Sequence, residues 1–255
     1  MTATPAGMTY ADYLKLGQLL SAQQPLSNLH DEMLFIVIHQ TKELWMKELL
    51  HELKLAVRLI GEDRFAEAYK AMARISRIQA VMTLSWDVLS TLTPVDYMKF
   101  RDVLGTSSGF QSAQFREIEY RLGLKNPKFL EHYAGGTAER ERLQDALDEP
   151  SLREAAIAAL QRAGFDVGDG SVEALAAAWL QVYQDSERWF ELYELAEKLV
   201  DIDDALASWR HKHVLTVERI IGNKPGTGGS AGAPYLRATL DKRIFPELWA
   251  LRTDL

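Results

Sequence analysis

The stretch FIVIHQTKELWMKELLHELK, residues 35–54, reads as the middle of a long helix, from about Asp31 to Gly61, that has to be buried. It also places His39 beside Phe35, Ile36 and Ile38, so an imidazole is expected among apolar neighbours. Helical periodicity of the same kind dominates the rest of the chain. No convincing run of alternating β-branched residues bounded by turns occurs, and the expected fold is all-α, a bundle of long antiparallel helices.

A first helix is expected over about 8–21 and another from about Phe65 to Leu92, with SAQQPLSNLH as a loop before residue 31. At TPVDYMKFRDVL the start signal is nearly complete: Thr93 can cap, Pro94 suits a first turn, and Asp96 lies three residues after the cap. PSLREAAIAALQRAG repeats the pattern with Ser151 and Glu154 and stops at Gly164. Between Val172 and Gly222 the apolar spacing predicts one or two long antiparallel helices, with DIDD (201–204) as the possible break. The glycine-rich GNKPGTGGSAGAP, with its two prolines, cannot lie inside a helix or strand, and 222–234 is expected to be a mobile loop of the kind that closes over ligands. YLRATLDKRIFPELWALR should return to helix. The chain reads as one domain, 1–255, without internal repeats.

A net charge of −7 argues against a protein that binds the nucleic-acid backbone, which needs a basic surface. With no cysteine, disulfides, thiolate metal sites and cysteine nucleophiles are excluded, leaving histidine and carboxylate as metal ligands. There is no targeting pattern at the N-terminus and no uninterrupted apolar run long enough to cross a bilayer, so a soluble cytoplasmic protein is expected.

A histidine on an apolar helical face is ordinarily a hydrogen-bonded core residue. Two such positions, His39 and His213, call for more. Leu206, Trp209, His213, Val217 and Ile220 step by three and four, placing His213 in the middle of a buried stripe. One imidazole with no other ligand on its turn is inadequate for zinc but is the arrangement that holds haem iron. A di-iron reading fails, because Glu-x-x-His occurs once, as Glu48 and His51. Tyr97 and Arg101 are four apart and point the same way on a helix, where an arginine can grip a carboxylate with two parallel hydrogen bonds. Gly226, Gly228 and Ala231 match dinucleotide-loop spacing, but that loop must follow a strand, and none is expected there.

Taken together, DEMLFIVIHQTKELWMKELLHEL, DYMKFRDVLGTSSGFQS, WRHKHVLTVERIIGNKPGTGGSAG and the opening TYADYLKLGQLLSAQQPLS resemble the haem enzyme tryptophan 2,3-dioxygenase, over about 8–125 and 200–252. The resemblance implies a haem b on His213 as axial iron ligand, with Ser108 and Gly109 also at the cofactor. His39 is implied as the catalytic distal histidine that meets the indole nitrogen, with Phe35, Ile36, Val37 and Ile38 near the substrate ring. Tyr97 and Arg101 are implied at the substrate carboxylate and Thr227 at its ammonium and carboxylate end. Tyr10 and Tyr13, within an exchanged segment 1–21, are implied to reach a neighbour's pocket in a homotetramer. The implied reaction converts L-tryptophan and O2 to N-formyl-L-kynurenine, the first step of tryptophan catabolism. The alternatives are a relative acting on a substituted tryptophan or other indole, and a non-catalytic haem sensor or carrier. One departure is Phe115, in SAQFREIE, where bacterial relatives usually have tyrosine.

Overall fold

A computed structural model describes residues 7–255, and among them every regular element is helical. The expected first helix forms as two short pieces, α1 (Tyr10–Leu14) and α2 (Leu16–Leu19), because Lys15 between them is left-handed at φ 52°. Thr9 and Asp12 start α1 with a reciprocal capping box. Then come the long α3 (His30–Gly61) and α4 (Phe65–Leu89), joined by a tight turn in which Asp63 takes φ 55°. Thr93 caps α5 (Pro94–Phe100) through its hydroxyl, which accepts from Asp96 N at 3.2 Å. Four shorter helices, α6 (Ala113–Leu122), α7 (Ala138–Asp148), α8 (Leu152–Arg162) and α9 (Val172–Gln184), lead to a second 32-residue helix, α10 (Phe190–Ile221).

Three stripes with alternating steps of four and three make the bundle. On α3 the stripe is Met46, Leu49, Leu53, Ala56, Ile60; on α4 it is Ala68, Met72, Ile75, Gln79, Met82, Trp86; on α10 it is Leu195, Leu199, Ile202, Leu206, Trp209. The average step of 3.5 residues keeps each stripe facing its partners along the whole length. Each fully buried leucine contributes about 1.5–3 kcal/mol.

Cross-links between the helices give their directions. Arg74 pairs with Glu52 and Lys42 Nζ lies over Trp86, so α3 and α4 are antiparallel. Tyr69 OH donates to Glu191 O, Gln79 Nε2 to Ile202 O, and Trp86 stacks on His213, so α4 and α10 run parallel. Of the expected long antiparallel helices, α3 and α4 pair as such, but α4 and α10 do not: the 100 residues from Ser90 to Trp189 carry the chain back before α10 begins.

DIDD does not break α10. Asp203 is buried, and its carboxylate accepts from Ile244 N at 3.1 Å, Phe245 N at 3.2 Å and Trp249 Nε1 at 3.0 Å, which satisfies the charge without interrupting the helix. The break falls at 185–189, before Phe190. The same carboxylate explains the C-terminal segment, which is not one helix. α11 (Ala233–Arg237) and α12 (Pro246–Ala250) are short, and between them Phe245, restricted by the following proline, sits at φ −121°, ψ 62° with its amide turned to Asp203.

Candidate active site

Toward the loop end of the bundle the three stripes change character. The α3 stripe continues backward through Lys42, His39 and Phe35, while the α10 stripe continues forward from Trp209 to His213. The helix lengths and the parallel run of α4 and α10 bring Trp86, at the end of α4, against both.

His39 Nδ1 lies 2.7 Å from the carbonyl oxygen of Phe35. A carbonyl only accepts, so Nδ1 carries the hydrogen and Nε2 keeps a lone pair directed away from its own helix. The Phe35 ring lies 4.2 Å from the imidazole, centroid to centroid. Burial pushes the His39 pKa down to about 4, partly opposed by the Phe35 carbonyl and reinforced by Lys42. At neutral pH the ring is uncharged and acts as an acceptor through Nε2.

His213 is clamped by rings. Trp86 stacks on it at 4.3 Å with the planes 9° apart, and Trp209 lies at 5.1 Å. Among the described residues it has no hydrogen-bond partner, in contrast to His39, which is held by Phe35 O. Burial lowers its pKa to about 3, with Lys42 and His39 adding to the shift, so it too presents a neutral lone pair. Lys42 is 5% exposed, its Nζ 2.8 Å from the centre of the Trp86 ring and without an acceptor, and burial pushes its pKa down to about 6. The indole nitrogens of Trp86 and Trp209 are also buried without partners. Among the described residues, no three His, Cys, Asp or Glu side chains gather as a ligand set. What this corner offers is one unbonded imidazole between flat apolar faces, a donor arrangement matched to an iron carried in a planar apolar ring.

The polar end of the site lies beyond Phe35. Tyr97 is buried, with its ring 5.9 Å from Phe35 and edge-on to Phe100 at 5.4 Å. Burial raises its pKa, partly offset by the adjacent Arg101. Arg101 lies one residue past α5, at the start of a 3-10 turn (Arg101–Leu104), so the two residues meet as expected although the helix itself has ended. Arg101 donates through Nη2 to the Pro225 carbonyl at 2.6 Å, and its Nε is buried without a partner.

The glycine-rich loop is folded down onto this arginine. Thr227 Oγ1 donates to the Ser107 carbonyl. A Cβ on Gly228 would come within 2.6 Å of Ser108 Cβ, so the backbone approaches there only because the residue is glycine. Ser108 itself caps the turn Gly109–Gln111, accepting from Phe110 N at 3.3 Å.

The remaining expected residues are distributed less simply. Ile38 points into the core, Ile36 is half-buried, and Val37 is 37% exposed, because consecutive helical residues are about 100° apart and cannot all face one pocket. Tyr10 and Tyr13 are 75% and 74% exposed on the surface of this chain. Phe115 stacks on Trp209 at 4.9 Å, keeping an aromatic wall where a tyrosine was expected. Lys42 and Trp86 went unread in the sequence. Lys42 lies three residues after His39 and was in principle legible by spacing, whereas nothing local marks which end of α4 meets His213.

A sequence model of the family described as tryptophan 2,3-dioxygenase matches residues 1–170 and 168–255. The chain is 60% identical to the tryptophan 2,3-dioxygenase of Caulobacter vibrioides, over 97% of this chain and 98% of that protein. It is 52% identical to that of Bacillus anthracis, covering 97% and 93%, and 48% identical to that of Shewanella woodyi, covering 97% and 91%.

Proposed function

The chain belongs to the tryptophan 2,3-dioxygenase family, and we propose that the pocket between His39 and His213 is where it converts L-tryptophan and O2 to N-formyl-L-kynurenine. Both oxygen atoms enter across the indole C2–C3 bond, so the equation balances without an external reductant. The carrying observation is the contrast between the two histidines: His39 has one nitrogen committed to Phe35 O, whereas His213 is stacked on Trp86 and has no hydrogen-bond partner among the described residues. His213 is the residue that would hold a b-type haem, with Ser108 and Gly109 beside it. When bound, the haem supplies the ferrous iron chemistry that activates O2.

The protein's own work is placement. His39 Nε2 accepts the indole N–H and sets the ring plane. It does not remove the proton, since an indole N–H is far too weak an acid for imidazole. Arg101 takes the substrate carboxylate through two parallel hydrogen bonds, exchanging its contact with the Pro225 carbonyl for a charged partner. Tyr97 stays a neutral phenol beside it, and Thr227 turns its hydroxyl to the ammonium and carboxylate end. Phe35 and Phe100 keep water from the reacting carbons, so orientation gained from the amino-acid end is retained at the ring.

The chain functions in this reading as a single-domain subunit of a cytoplasmic homotetramer, with residues 1–21 completing a neighbour's pocket; residues 1–6 lie outside those described. The support is an apolar surface wider than one subunit needs: Tyr10, Tyr13, Leu20 (69%) and Leu26 (73%), with Met33, Val37, Leu44 and Trp45 on α3. No described helix is long and apolar enough to cross a membrane.

The test is reconstitution with haem, reduction, and aerobic incubation with L-tryptophan while formylkynurenine absorbance is followed. Wild type is expected to bind one haem per chain and form product. A His213→Ala variant that kept the wild-type ferrous spectrum would show that the iron ligand lies elsewhere.

A further inference from the structure

Behind the His213 clamp the bundle encloses a cavity of about 10 Å³, lined by Leu49, Gln79, Phe115, Leu206 and Trp209 among others. Its walls are mostly apolar, yet two of its residues each carry a buried polar atom without a partner among the described residues. Gln79 is 4% exposed and donates through Nε2 to the Ile202 carbonyl at 3.1 Å. Because that carbonyl can only accept, the amide orientation is settled, and Oε1 is left as a buried acceptor without a partner. Trp209 is 8% exposed, and its Nε1 is a buried donor without a partner. Gln79 and Trp209, which carry this orphaned acceptor and this orphaned donor, line one space of the size of a single water.

We propose that this cavity is a binding site for one internal water, which accepts from Trp209 Nε1 and donates to Gln79 Oε1. A cavity of this size stays dry when its lining is wholly apolar and fills when polar partners are unsatisfied. Here two are, on different helices. The water fixes the Trp209 indole, which stacks on Phe115 at 4.9 Å, meets Trp86 at 5.4 Å and flanks His213 at 5.1 Å. It is thus a positioning element for the His213 imidazole, anchored in α4 through Gln79.

The direct test is a high-resolution crystal structure of the haem-loaded protein. One solvent peak is expected at hydrogen-bonding distance, about 2.7–3.2 Å, from both atoms. An empty cavity would overturn the proposal. In solution, Gln79→Leu and Trp209→Phe are each expected to lower the urea midpoint, and the double variant by less than the sum of the two shifts, because both lose the same water. Strict additivity would overturn the link. Should either variant fail to fold, the wild-type crystal still decides.

Discussion

The indole of Trp86 lies flat on the imidazole of His213, ring centroids 4.3 Å apart and planes 9° from parallel. One residue ends the hydrophobic stripe of α4 and the other extends that of α10, so a packing contact and a functional side chain are held by the same registry. Trp86→Ala should therefore cost about 3–5 kcal/mol of unfolding free energy, as expected for removing a buried large aromatic, and should loosen haem retention. Trp86→Phe, which keeps a ring in the stack, should cost much less. Urea denaturation and haem transfer to an apo-globin measure the two effects, and equal losses in the two variants would remove the stack from the explanation.

Arg101 is expected to govern affinity for the amino-acid end. A charge-assisted contact in a sheltered site is worth about 1.5–3 kcal/mol, so Arg101→Met should raise KM for L-tryptophan roughly 10- to 150-fold. Tryptamine, which has no carboxylate, should be affected far less. The comparison of the two substrates is the measurement, and parallel losses would mean that Arg101 serves the fold through Pro225 instead.

His39 sets a pH dependence of stability. Its folded pKa, about 4, lies below the ordinary histidine value of 6.5, chiefly through burial. Between those values the unfolded chain binds the proton more readily, so stability falls as pH drops from 6.5 to 4 and is fully present above that window. A His39→Phe variant should lose less stability than wild type between pH 7 and pH 5, read as the change in urea midpoint. An identical pH slope in both proteins would show that His39 is not shielded as described.

Gly228 tests the seating of the loop. Gly228→Ala would place a carbon 2.6 Å from Ser108 Cβ, closer than real carbons approach, so the loop must lift. KM for tryptophan should rise while haem content stays unchanged. Adding Ser108→Gly removes the obstructing carbon and should restore much of the affinity. If the double variant is no better than the single, the contact with Ser108 is not what seats the loop.

The N-terminal segment should matter through another subunit. Deleting residues 1–21 is expected to weaken tryptophan binding more than haem binding and to disturb assembly, measured by equilibrium titration and by light scattering. A truncated protein that stayed assembled with unchanged tryptophan affinity would end the case for a shared pocket.

The sequence alone determined the helical class and several of the boundaries, because periodicity and capping are local: Thr93, Pro94 and Asp96 start α5 whatever lies around them. It also carried the resemblance by which His39, His213, Arg101 and Thr227 could be singled out, since those motifs are contiguous runs. Tertiary structure decided what no short window contains. DIDD interrupts the apolar spacing and so reads as a possible break, but the distant amides of Ile244 and Phe245 and the indole N–H of Trp249 make a buried Asp203 tolerable inside α10. Likewise α4 and α10 are parallel because a 100-residue crossover separates them, and it is that direction which delivers Trp86 to His213. Spacing specifies which face of a helix is buried. Which residue of another helix meets that face depends on the length and path of the chain between them.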